Sequence, residues 1–182
     1  RGFSFLKDEP LDMRYHTASD GISAAEIVNR WSKNAIGTLL WEYGEERNAK
    51  RIAAGIVAAR TRKKITKANE LAEIIQKCVP RRVGKIHPAT RTFQALRIAV
   101  NKEFENIASA LGDAVAVLKP KGKIIVISFH SLEDRIVKNF FKKESADGHI
   151  SILTPKPLQP HIVEINKNPR ARSAKLRAAE KI

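Results

Sequence analysis

The sequence predicts an α/β fold that carries a separate all-helical module, and three observations predict it. Residues Ile124 to Ile127 form an unalternated, largely β-branched run, with Phe129 following after one serine, the pattern of a strand covered on both faces. Apolar residues at helical spacing stand before that strand (Phe93, Leu96, Val100, Phe104, Ile107, Leu111) and after it (Leu132, Ile136, Val137, Phe140, Phe141), giving the order helix, strand, helix. Residues 21–80 hold helical patterns and no strand pattern.

Taken in order, residues 1–21 contain Gly, Pro and scattered aromatics without a sustained period, as expected for an ordered loop. From Ser23 to Leu40, the residues Ala24, Ile27, Val28, Trp31, Ala35 and Leu39 recur at helical spacing. A break at Tyr43-Gly44 precedes a second helix, with Ile52, Ile56 and Val57 on one face and Arg47, Lys50, Arg51 and Arg60 beside them; the basic run Arg60 to Lys64 closes it. Thr66 is the expected N-cap of a third helix bearing Leu71, Ile74, Ile75 and Cys78, and Pro80 stops it. After the loop RRVGKIHPAT, the stripe from Phe93 implies one amphipathic helix of about five turns. It continues through Val115 and Leu118 to the turn Lys119-Pro120-Lys121-Gly122, where the strand begins, expected to be central and parallel. HISILT reads as a short strand, TPKPLQP as a Pro-rich connection and RSAKLRAAE as a last strand. There is no internal repeat or low-complexity tract.

The composition is that of an intracellular globular protein, with 43% hydrophobic and 29% charged residues and no apolar run long enough to span a bilayer. A cytoplasmic location is expected. The single cysteine, Cys78, excludes an internal disulfide and a Cys-rich zinc site and is expected in the core. The net charge is +15, concentrated as +8 over residues 21–90 and +5 over 151–182. Such an excess favours a polyanionic partner, nucleic acid above all, because each neutralised phosphate releases counterions.

The strand ends in His130, Ser131, Glu133 and Asp134, where ligands collect in open α/β sheets. Ser131 with Asp134 fits an S-x-x-D helix cap, which accounts for those two without chemistry and leaves His130 and Glu133 either as site lining or as structural residues. A serine hydrolase is disfavoured by the lack of a G-x-S-x-G elbow. His16, His87, His130, His149 and His161 form no H-x-x-x-H or H-E-x-x-H cluster, so no metal is expected. Neither G-x-G-x-x-G nor G-x-x-x-x-G-K-[ST] occurs.

Six blocks, RGFSF, PLDMR, YGEERNAKRIA, HPATRTFQALRIAVNKE, LKPKGKIIVISFHSLEDRIVKNFF and NPRARSAKLRAAE, together resemble the bacterial 16S rRNA cytosine-N4 methyltransferases of the RsmH (MraW) family. The resemblance runs end to end, in order and with compatible spacing. It implies a Rossmann-like class I S-adenosylmethionine-dependent methyltransferase with an inserted all-helical domain, of which this chain is the C-terminal portion. Residues 1–20 would be the loop ending the N-terminal half, 21–85 the insertion, and 86–182 the rear of the methyltransferase domain. The implied activity is methylation of a cytidine N4 amine in 16S rRNA of the small ribosomal subunit, with S-adenosyl-L-methionine held mainly by loops upstream of Arg1 and no membrane involved. The chain is therefore expected to be a piece of the enzyme, inactive alone. A noncatalytic basic RNA-binding module is the alternative.

On this resemblance Phe3 and Phe5 are pocket or gate aromatics, or core residues. Asp12 and Arg14 order a loop over the site, or form a local ion pair. Thr90, Gln94 and Arg97 face the RNA, or serve as helix cap and surface. His130, Ser131 and Glu133 line the site, with His130 positioning rather than acting as a base. The phosphate contacts expected are Arg60, Arg62, Lys63 and Lys64, with Arg170, Arg172, Lys175 and Arg177 as a second group or a solvated hairpin face.

Overall fold

The structure, a computed structural model, describes residues 1–16, 21–79 and 87–182. The stop at Pro80, most of the loop RRVGKIHPAT and the expected boundary at residues 85 and 86 lie outside them. The chain divides into two compact units, Arg1–Glu103 and Phe104–Ile182. The architecture is mixed α/β, mostly helical, with a three-stranded sheet.

In the first unit, one expected helix is two: α1 (Ala24–Arg30) and α2 (Lys33–Gly44). The reason is Ser32, whose hydroxyl accepts from the Ala35 amide at 3.1 Å and starts a new helix with Trp31 left extended. Next come α3 (Ala49–Arg60) and α4 (Ala68–Cys78). Thr66 stands one residue ahead of the α4 cap; the Thr66 and Lys67 amides donate instead to the Glu70 carboxylate at 3.1 and 3.2 Å. The five-turn stripe is also divided, into α5 (Thr90–Asn101) and α6 (Glu103–Val117), because Lys102 adopts the left-handed conformation at φ 50°. Ile27, Ile36, Leu40, Ile52, Ile56, Leu71, Ile75 and Leu96 are fully buried, and Leu11 and Met13 of the opening loop join them. At about 1.5–3 kcal/mol per large apolar side chain, this burial is what holds the helices together.

Where α3 crosses α4, a Cβ on Gly55 would run into the Cys78 sulfur, so the two small residues set the approach of the helices. Cys78 is half-buried against the core, as expected of it, and burial pushes its thiol pKa up.

The second unit contains most of α6, then β1 (Lys123–Ser128), α7 (Ser131–Ala146), β2 (Ile150–Ile152), α8 (Ile162–Lys167), a 3-10 turn (Pro169–Ser173) and β3 (Lys175–Lys181). The sheet order is β1-β3-β2, with both pairings antiparallel; Ile125 faces Ala178 and Ile127 faces Leu176. Among the described residues, the strand expected to be central and parallel stands at the edge of the sheet, paired antiparallel to β3. Ile124 is buried with Leu111, Val115, Val137, Phe141 and Ala179, whereas Ile125 and Ile127 are 61% and 55% exposed. Among the described residues its apolar run is therefore covered on one face only, and side-chain alternation carries the odd-numbered isoleucines outward.

Replacing Gly55 by Ala is expected to destabilise the first unit by about 1–3 kcal/mol through overpacking on Cys78. The double variant Gly55→Ala with Cys78→Ala should lose less than the sum of the two single changes. Urea unfolding midpoints of the four proteins measure this, and strict additivity would mean the helices do not meet there.

Candidate functional site

Residues 9–14 follow a path dictated by their backbone hydrogen bonds. Leu11 donates to Thr66 O at 2.9 Å, and Glu9 O accepts from Ala68 at 3.0 Å, at the start of α4. On the other side the carbonyls of Leu11 and Asp12 accept from Ala25 and Ala24, each at 2.8 Å, at the start of α1. Two helix N-termini thereby find acceptors for amides that lack partners within their own helices. Asp12 then grips Arg14 in a two-pronged pair at 2.8 and 2.9 Å, and the Arg14 guanidinium holds the Asp12 carboxyl below the usual carboxylate range. A local ion pair is what joins these two expected site residues. Gly2 approaches this segment closely at φ 78°; a Cβ there would collide with Pro10 O.

The segment, α1 and the connection from α3 to α4 border an open cleft of about 610 Å³. Its lining includes Asp12, Arg14, Glu26, Asn29, Arg30, Arg60, Lys64 and Thr66. Asn29 donates to Ala25 O at 2.8 Å and Ile65 O at 2.7 Å and accepts from the Ile65 amide at 3.0 Å, which fixes the connection against α1. Arg60 donates to Val28 O at 2.8 Å, one of the last carbonyls of α1. Within the basic run, Arg60 and Lys64 border the cleft, Arg62 is exposed, and Lys63 is bound to Glu70 at 2.7 Å. That bond, with the Thr66 amide, lowers the Glu70 pKa to about 2.

The expected aromatics are packed on other rings. Phe3 stacks on Tyr15 at 5.7 Å between centroids; Phe5 stacks on His87 at 4.3 Å and meets Phe93 edge-on at 5.2 Å. Both are half-buried on the core. Arg97 forms a two-pronged pair with Glu103 at 2.8 and 3.0 Å, and the Tyr15 hydroxyl donates to the same carboxylate at 2.9 Å. Gln94 donates to Tyr43 O at 3.3 Å, and Thr90 opens α5 with its amide on His87 O.

In the second unit the end of β1 is built differently from the S-x-x-D expectation. The cap of α7 is His130, whose Nδ1 accepts from the Glu133 amide at 3.3 Å. The Glu133 carboxylate returns to the Phe129 and His130 amides at 2.8 and 3.3 Å. Ser131 is the exposed first residue of the helix. Asp134 is turned inward: it holds Arg177 at 2.7 and 3.2 Å and Lys175 at 3.5 Å. The pair is buried, and the Arg177 guanidinium keeps the Asp134 carboxyl below its ordinary range. Arg177, 6% exposed, is therefore out of reach of an RNA phosphate, which corrects its place among the expected contacts; Arg170 and Arg172 remain exposed on the 3-10 turn.

Several residues that shape these sites escape the sequence patterns. Arg30 continues a helix whose polar face gives no signal, and Glu103 and Asn101 act through distant partners, Tyr15 and Met13. Asn29 did carry a signal, a polar residue next to the apolar Ile27-Val28 pair. Glu144 in the last turn of α7 and Asp147 and His149 just past its end bring ligand-type atoms within 4.8 Å of one another at the surface, a grouping no His motif announces.

His130→Ala should cost about 0.5–2 kcal/mol and His130→Asn, which restores a cap, a few tenths; thermal melts read the difference. Loss of function in a stable His130→Asn protein would reveal a role beyond capping. Asp134→Ala is expected to destabilise the second unit by about 3–5 kcal/mol by stranding Arg177. Because the folded-state pKa of Asp134 is lowered, its contribution is fully present above the ordinary carboxylate pKa and is lost as pH falls through the lowered one. Melts at descending pH should therefore converge for native and Asp134→Ala proteins.

Comparison with known proteins adds the family. A model of the MraW methylase family matches residues 1–182. A protein of Thermomicrobium roseum named Ribosomal RNA small subunit methyltransferase H is 49% identical over 197 residues, covering 100% of this chain and 60% of that protein. Like-named proteins of Persephonella marina (48% identical, covered to 62%) and Coxiella burnetii (49% identical, covered to 63%) also match 100% of this chain. The chain spans about three-fifths of the length of these relatives. A match of this extent, through both compact units, leaves one conclusion: the chain belongs to the MraW methylase family.

Proposed function

We propose that this chain is part of an S-adenosylmethionine-dependent methyltransferase that modifies the N4 amine of a cytidine in 16S rRNA of the small ribosomal subunit, in the cytoplasm. The observation that carries the reading is identity near one half along the whole chain to proteins named small-subunit rRNA methyltransferases. The net charge of +15 suits an RNA partner. Among the described residues no helix is long and apolar enough to cross a membrane.

The finer fold is a Rossmann-like class I methyltransferase, with residues 21–85 as its helical insertion. Two features of β1 support it: among the described residues it pairs on one side only, and Ile125 and Ile127 on it, with Phe129 just after it, are exposed. Further strands and helices would cover both.

The residues described do not fit the cofactor as a binding site. Binding its ribose and amino-acid groups calls for carboxylates and backbone amides at strand ends. At the end of β1 the Glu133 carboxylate is taken by the Phe129 and His130 amides, and Asp134 by Arg177. The main cofactor contacts would then lie in sequence that the longer relatives have beyond this match. What this chain contributes is grip and placement of RNA. Methylating an exocyclic amine requires the base out of its stack and in line with the donor, so most of the acceleration is positional.

The test is methyl transfer by the full-length protein on small-subunit particles lacking the modification, with N4-methylcytidine identified by mass spectrometry. Incorporation at one cytidine is expected. RNA binding without incorporation would favour the noncatalytic module. Titration of the 182-residue chain with S-adenosylmethionine should give little or no binding, and tight binding would overturn the placement of the cofactor site.

A further inference from the structure

The cleft between residues 10–14, α1 and the α3–α4 connection is electrostatically one-sided. Among the described residues its lining carries Arg14, Arg30, Arg60 and Lys64 against Asp12 and Glu26, an excess of two positive charges. Both acids are already engaged: Asp12 by Arg14, and Glu26 by the Ser23 amide and hydroxyl at 3.0 and 3.1 Å and by Arg30 at 3.4 Å. Arg60 is the telling residue. Its guanidinium is half-buried and held by one contact, the carbonyl of Val28 at 2.8 Å, with no carboxylate within ion-pair distance among the described residues. Lys64 is likewise without a carboxylate partner among them. A partly desolvated fork donor, oriented by a backbone carbonyl and facing open space, is matched by a bidentate oxyanion.

The cleft offers little with which to read a base. The Asn29 amide is consumed by Ala25 and Ile65, the Ser23 hydroxyl by Glu26, and the Arg14 fork by Asp12 and the carbonyl of Gly21. What remains open to a ligand is positive charge at Arg60, Lys64 and the exposed end of Arg30.

We infer that this cleft is a phosphodiester clamp for single-stranded RNA, in which Arg60 grips one phosphate bidentately and Lys64 neutralises the same or the next one, without regard to base identity. The inference rests on the RNA-directed reading above and adds the place and manner of contact. Its role would be to fix the strand's register while bases are selected elsewhere.

The experiment is fluorescence-anisotropy titration of the full-length protein with labelled single-stranded 12-mers of two unrelated sequences, repeated across salt concentrations. Arg60→Ala should weaken both complexes roughly tenfold and reduce the slope of log affinity against log salt by about 0.7, the value for one single-strand phosphate. Lys64→Ala, which removes no hydrogen bond and so leaves the fold intact, should weaken both in the same direction. Arg60→Lys should recover part of the loss by keeping the charge without the fork. Unchanged affinity and slope in Arg60→Ala and Lys64→Ala, alongside weakened binding in Arg170→Ala or Arg172→Ala, would overturn the clamp and leave the RNA-directed reading standing. Loss confined to one of the two sequences would also overturn it, because the cleft would then read bases. Absence of salt-sensitive RNA binding by the native protein would remove both.

Discussion

The helical unit depends on a short extended segment, Glu9 to Asp12, that supplies acceptors to one helix start and runs antiparallel to the residues leading into another. Amides in the first turn of a helix must find partners outside it, and here a single strand of loop serves α1 and α4 at once. Burial of Leu11 and Met13 pins that strand from below, and the Asp12–Arg14 pair pins it from above. The floor of the cationic cleft is therefore made of backbone that has no slack, while the wall opposite is fixed by the Asn29 amide on Ile65. A clamp for a flexible polyanion gains from such a frame, since less conformational freedom is lost when the ligand arrives.

The second unit is organised around a buried charge. Asp134 on α7 and Arg177 on β3 meet at 2.7 Å where neither could be left alone. This pair decides the roles of the neighbouring polar residues. With Asp134 drawn inward, it cannot cap its own helix, and capping passes to His130 and Glu133, one residue earlier. His130 and Glu133 at the strand end thus form a helix cap, and Asp134 a buried ion pair.

Local periodicity made much of this legible. The helices of the first unit, the helix after β1, the short strand at HISILT and the last strand all follow from apolar spacing, because each buries a face its own sequence writes. The breaks at Ser32 and Lys102 were not legible, since a hydroxyl cap and a left-handed lysine interrupt helices without disturbing the apolar stripe. The run Ile124 to Ile127 misled in a different way: apolar residues on both faces say that both will be covered, not by which part of the protein. The choice between S-x-x-D and H-x-x-E as the cap turned on a partner 43 residues away, Arg177, beyond the reach of any local pattern. The excess of basic residues was plain from composition, but which cations are committed and which stand open, as Lys63 and Arg60 respectively do, is a property of three-dimensional neighbours.

Among the described residues β1 pairs on one side only, which has a practical consequence for anyone handling the chain in isolation. A row of backbone donors and acceptors beside protruding isoleucines is a template for another strand, and nothing in Lys123–Ser128 except its terminal lysine discourages recruitment of an identical neighbour. Produced without the remainder of a longer protein, the polypeptide would tend to self-associate edge to edge, and its solubility would fall with concentration despite a surface charge that should keep molecules apart.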